Sequence, residues 1–309
     1  MSFAENIANR RVMLMEGALG ERLKREYGLV TNGVAGMAGL VETEEGRNAL
    51  RALWGEYIQV ARKYGLPFMA TTPTRRANQD RVPKAGLTDR IFEDNIQFLL
   101  ELKAQSGVEM YAGGMMGSVG NAYTAEGCLP FSKDVADFHR WEAERFAATG
   151  ADFLFAGLIP TLPEAIGIAV AMSDTPLPYV ISLTIQGDGC LIDGTPIDRA
   201  IEEVDAAVDR RAECFMTNCV HPSIVLKALD QPFNQTARVR ERFLGLQANT
   251  SALPYCELDQ SPVLYTSAPE ELAAGMLKLY QANGFCIFGG CCGTDARHLD
   301  AMARAILNG

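Results

Sequence analysis

Eight short apolar runs recur along the chain, at residues 12–15, 67–71, 110–113, 153–156, 179–183, 214–217, 245–248 and 286–288. They are bare runs, not alternations of apolar and polar residues. A strand that is apolar on both faces is buried on both, as in a parallel sheet covered by helices. A helical pattern follows each run, at 46–63, 89–105, 133–149, 163–172, 197–210, 222–229, 270–281 and 295–307. Eight strands with a helix behind each predict one α/β domain, a (β/α)8 TIM barrel, over residues 1–309. The alternative is an open doubly wound sheet, which should carry a glycine fingerprint at its first strand-to-helix turn. That turn reads Glu16-Gly17-Ala18-Leu19-Gly20 and does not match.

With 309 residues, 48% of them hydrophobic, the chain can bury a large core. Its formal net charge of -10 argues against a nucleic-acid surface, which would cluster Lys and Arg. No apolar run approaches the roughly 18 residues of a membrane span. The start of the chain, with Glu5 and Arg10, has no sustained apolar segment of a secretory signal. The 8 cysteines show no disulfide framework. A reduced, cytoplasmic protein with small-molecule partners, no nucleic acid and no membrane is expected; a homo-oligomer stays open.

In such barrels the active site forms at the C-terminal ends of the strands. Three cysteines fall there: Cys219 after the sixth run, and Cys291 and Cys292 after the eighth. Those two strands are separated by one other, so their ends can converge above the barrel. Three thiolates meeting there would suit zinc and leave a fourth position open, as in catalytic sites. Adjacent cysteines pointing the same way need a sharp bend, which Gly289, Gly290 and Gly293 permit. From spacing alone, a redox pair of Cys291 and Cys292 and glycine-rich packing with incidental thiols also stay open. His221 could stand in for Cys219 as a ligand. Cys214 and Cys286, inside strands, read as packing. No lysine sits at a predicted strand end, which disfavours Schiff-base chemistry.

The motif Gly289-Gly290-Cys291-Cys292-Gly293-Thr294, with Asn218-Cys219 upstream, resembles the homocysteine S-methyltransferase family. The turn Glu16 to Gly20, Thr71-Thr72 with Asn78, and Ile159 to Ala165 extend the resemblance over nearly the whole chain. So do Asp188-Gly189, Leu191 and Asp193-Gly194-Thr195. It implies Zn2+ held by Cys219, Cys291 and Cys292, a substrate thiol activated by that zinc, and transfer of a methyl group to it in methionine biosynthesis. Position by position, the amides near Ala18 and Leu19 resemble the receptor of the substrate carboxylate. Glu16, Thr72 and Asn218 join them as candidate substrate contacts.

Two positions depart from the family pattern. Its strand-one aspartate is Glu16 here. The glutamate it places at the end of strand four, which helps bind the ammonium of homocysteine, falls on Gly157, with Ala156 and Leu158 beside it. Homocysteine or a related thiol is therefore the expected acceptor. The length leaves no room for a cobalamin domain, so a free donor is expected, a sulfonium or quaternary ammonium compound. Tyr123, Phe131, Trp141 and Tyr255 are candidates to hold its cation.

Overall fold

In the computed structural model, which describes residues 1–258 and 263–309, eight parallel strands close in sequential order. They are β1 (Met13–Met15), β2 (Phe68–Thr71), β3 (Met110–Gly117), β4 (Phe153–Ile159), β5 (Tyr179–Leu183), β6 (Cys214–Val220), β7 (Phe243–Ala248) and β8 (Ile287–Gly290). The ring shuts where Met13 pairs with Ile287 and Leu14 with Phe288. The expected (β/α)8 barrel is the observed architecture.

The apolar runs are explained by two separate cores. Side chains alternate across a strand. Met13, Met15, Met69, Phe153, Phe155, Val180, Cys214, Met216 and Ile287 therefore point inward and form the barrel interior. Their neighbours Leu14, Phe68, Leu154, Ile181, Phe215 and Phe288 point outward and pack beneath the helices. The helix Phe3–Ala8, which periodicity does not reveal, belongs to the interior core: Phe3 and Ile7 join it, and the Phe3 ring stacks on Phe153 with centroids 4.2 Å apart. The end of the barrel that Phe3 fills cannot serve as an entrance, so access is from the opposite, C-terminal end.

The outer helices are ended by ordinary devices. Thr43 caps Glu44–Tyr64 with its side chain, and Gly65 closes that helix in the left-handed conformation. Thr161 caps Leu162–Ser173 in the same way as Thr43.

Several strands run further than their apolar cores predict. β3 extends to Gly117, β4 to Ile159 and β6 to Val220. Asn218 and Cys219 thus lie within a strand, not in the loop after it. The helix expected at 197–210 ends at Ala206. Two further helices, Gly20–Glu26 and Ala237–Arg242, occupy stretches without a clear apolar stripe. No helix among the described residues is long and apolar enough to cross a membrane.

Candidate active site

The registers of β4 and β6 each slip near their C-terminal ends. In β6 the slip lies between Asn218 and Val220, and Cys219 between them has φ 64. In β4 it lies between Ala156 and Ile159, where Leu158 has φ 60. An extra residue in the left-handed region turns its side chain off the strand's regular alternation. Cys219 and Leu158 consequently pack together with Ala122 in a small apolar cluster, against which Tyr123, Cys291 and Cys292 lie.

The other two thiols reach the same point from β8. The chain turns just past Gly290, with Gly293 at φ +83, and a Cβ there would stand 1.9 Å from Thr250 Oγ1. Only glycine meets both conditions. The turn is pinned: Cys291 N–H donates to the Ala248 carbonyl (2.7 Å), Thr250 N–H to the Cys292 carbonyl (3.2 Å), and Thr294 Oγ1 to the Cys291 carbonyl (2.7 Å).

Cys219 Sγ lies 3.7 Å from Cys292 Sγ, and Cys291 Sγ lies 3.9 Å from Cys292 Sγ. All three sulfurs are within 4.8 Å of one another. Sulfurs tetrahedrally bound to zinc at about 2.3 Å stand about 3.8 Å apart, which the two shorter separations match. Hydrogen bonds from Cys291 and Cys292 draw the Cys219 thiol well below the ordinary cysteine range. Cys291 is held well above that range by the Cys219 and Cys292 sulfurs and by burial. A trio that favours one thiolate and resists the next lacks positive charge, which a dication supplies. Asn249 Nδ2, 3.8 Å from Cys219 Sγ, adds a donor. His221 is not part of this group: its ring bonds Ser223 at the start of the helix Pro222–Leu229.

The cavity over the cysteines has a volume of about 430 Å³. Glu16, Ala18, Leu19, Thr72, Asn218, Cys219, Cys291 and Cys292 all line it, so the expected metal ligands and thiol contacts face one space. Their partners differ. Glu16 is 3% exposed and accepts from Thr71 Oγ1 at 2.6 Å and from Thr71 N–H. Burial pushes Glu16 up to about 7, and the bonds from Thr71 only partly oppose it. Thr72 Oγ1 is committed within the protein, accepting from Met115 N–H at 2.9 Å and paired with Thr74 Oγ1 at 2.7 Å. The Ala18 N–H is donated to Thr294 Oγ1 at 3.1 Å. Asn218 Oδ1 accepts from Ser182 Oγ at 2.5 Å and from Leu158 N–H at 3.3 Å, which ties the β4 and β6 irregularities together.

Sequence reasoning did not single out Met115, Leu158, Gln247, Arg75 or Arg76, which also line the cavity. Of the four aromatic candidates, Tyr123 packs beside the thiols and Tyr255 lies next to Tyr123. Their rings lie 4.9 Å apart, and burial together with the Cys219 charge raises both hydroxyls well above their usual range. Phe131 is exposed on the surface, and the Trp141 face is covered by the Arg145 guanidinium at 3.9 Å. Gly157 carries no carboxylate into the cavity, and Glu164 is no substitute. It is buried away from the cavity, accepting from Val119 N–H and Leu129 N–H.

A closed parallel barrel with three cysteines converging at the C-terminal ends of β6 and β8 defines a thiolate-rich site on a (β/α)8 enzyme scaffold. The family model of homocysteine S-methyltransferases matches residues 13–306, and the chain belongs to that family. Among solved structures it resembles the homocysteine methyltransferase MmuM of Escherichia coli. The oxidized form gives a TM-score of 0.72 at 19% identity, covering 95% of both chains. The metallated form gives 0.70 at 18% identity, covering 96% of this chain and 98% of that one. At such identities the likeness shows the fold. No curated protein sequence matches the chain.

Proposed function

We propose that the protein transfers a methyl group from a small sulfonium or quaternary ammonium donor to the sulfur of homocysteine or a related thiol. In this reading zinc is held by Cys219, Cys291 and Cys292. The observation that carries the reading is the set of three sulfurs, 3.7 and 3.9 Å apart across their two shortest pairs, at the floor of the cavity. Membership of the family supports homocysteine as acceptor, and the metallated form of the similar E. coli protein supports a metal.

Zinc, when bound, would supply the Lewis acidity that lets a substrate thiol ionise at neutral pH. The protein's own residues do the rest. Leu19 N–H has no partner among the described residues, whereas Ala18 N–H is already donated, so Leu19 is the better placed amide for a substrate carboxylate. Glu16 is the carboxylate available to a substrate ammonium; a cation beside it would lower its pKa and release a proton. Met115, Leu158 and Tyr123 exclude water from the reacting atoms. In the transfer a carbon–sulfur bond forms as the donor's bond to its methyl breaks, and a neutral thioether or amine leaves. Opposite charges vanish together, so a water-poor site favours the step. The Tyr123 ring, on the cavity wall with Tyr255 behind it, offers a face on which the cationic donor can rest before transfer.

Elemental analysis of the purified protein should find one zinc per chain. Cys219→Ala, Cys291→Ala and Cys292→Ala should each abolish tight binding and thiol methylation, because a three-ligand site has no surplus. Full zinc in the Cys291→Ala/Cys292→Ala double variant would sink the assignment.

A further inference from the structure

We propose that Arg75 and Arg76, in the loop after β2, form a receptor for a carboxylate-class anionic group on a substrate bound over the three cysteines. This rests on the thiol-methyltransferase reading and names a feature of its substrate that the cysteines do not.

Both arginines line the cavity that holds Cys219, Cys291 and Cys292. Arg75 is half-buried and fixed in place by close packing. A Cβ on Gly117 would stand 2.4 Å from the Arg75 carbonyl and 2.7 Å from its Cγ, so a glycine on β3 is what lets the arginine lie there. Its charge acts on the Tyr123 hydroxyl, whose position beside the thiols is set out above. The stem of Arg76 rests 3.6 Å from where a Cβ on Gly36 would be, on the loop that forms part of the cavity wall.

Neither guanidinium has a hydrogen bond or an ion pair among the described residues, although many other arginines here are engaged. Arg22 is held by Glu26 and Glu56, Arg242 by Asp205, and Arg210 by four carbonyls. The cavity's own carboxylates do not pair with them: Glu16 accepts from Thr71, and Glu21 pairs with Arg25. Lys24 adds a third cation to the wall. Nearby Arg81 is lowered by burial and then by the charges of Arg76 and Arg75, so the cations press on one another. Two consecutive arginines without anions, Arg75 half-buried and Arg76 exposed, both on the cavity wall, match a planar anion taken bidentately.

The anion can arrive on the acceptor thiol or on a zwitterionic donor, and calorimetric titration of the zinc-replete protein separates the two. Mercaptopropionate, neutral mercaptoethanol and cationic mercaptoethylamine probe the acceptor. Dimethylsulfoniopropionate and ethyldimethylsulfonium, which lacks the carboxylate, probe the donor. In at least one arm the carboxylate compound should bind about tenfold more tightly than its uncharged or carboxylate-free counterpart. Arg75→Gln/Arg76→Gln should remove most of that preference, the remainder being the share of the Leu19 amide, and leave mercaptoethanol binding unchanged, while Arg75→Lys should keep more of it. The arm that responds identifies the source. If mercaptoethanol binds but neither arm shows a preference lost in the double variant, the receptor is overturned and the methyltransferase reading stands. If no thiol of any charge binds the zinc-replete protein, both fall.

Discussion

Glu16 shows how one residue can be stabilised for function and not for folding. Its carboxyl is buried with Thr71 as partner and no cation in contact, and its folded pKa of about 7 lies above the ordinary 4.5. The native state therefore keeps a proton that the unfolded chain has lost. Stability should fall as pH rises from 4.5 to about 7, and level off above. In the metal-free protein, Glu16→Gln keeps an acceptor for Thr71 but cannot ionise. It should match wild type near pH 4 and exceed it by about 3 kcal/mol near pH 8. Chemical denaturation at several pH values checks this; a constant difference would refute the buried, titrating carboxyl. Cys219 carries a different cost. With φ 64 it sits where a Cβ is disfavoured, so metal-free Cys219→Gly should be more stable than Cys219→Ala by about 1 kcal/mol. Denaturation midpoints of the two variants measure it. The strain is tolerated because the bulge is what brings the thiol to its partners.

At the scale of elements, the loop from β3 to the helix Ser132–Ala147 carries Tyr123 and Ala122 to the thiols. It is held from beneath by Glu164 of the helix Leu162–Ser173, which accepts from Val119 and Leu129, with His139 Nε2 3.9 Å away. Glu164→Ala leaves two buried loop amides without an acceptor and His139 with Glu142 as its remaining carboxylate, and should cost about 3 kcal/mol. Hydrogen exchange should show protection lost first between residues 118 and 131; uniform loss across the barrel would mean the loop is held otherwise. This element also marks the limit of what the sequence conveys. The strands are legible because two buried faces leave apolar runs, and the cysteines because glycine spacing and strand ends coincide. Which of the four aromatic candidates reach the thiols is not, since a loop residue's position depends on contacts such as those of Glu164, far away in the chain. The strand extensions at Gly117, Ile159 and Val220 escape the apolar pattern because polar, glycine and bulged residues continue a ladder held by backbone hydrogen bonds. The helix Phe3–Ala8 is too short to show a period, though its two apolar residues seal the barrel floor.

For the whole molecule, closure of the barrel converts separation along the chain into proximity. β6 and β8 are parted only by β7, so Cys219 and Cys292 meet at 3.7 Å although 73 positions divide them. Glu16 from β1 and Asn218 from β6 face the same cavity for the same reason. The floor plugged by Phe3 leaves one open end, and the three thiols stand at its centre. In the proposed reading these sulfurs hold a zinc ion whose remaining position accepts a substrate thiol. X-ray absorption at the zinc edge tests it most directly. The protein as isolated should show three sulfur neighbours at about 2.3 Å with one lighter atom, and four sulfurs after homocysteine or mercaptopropionate is added. A sulfur count that stays at three with saturating thiol, or zinc surrounded by oxygen and nitrogen alone, would contradict it.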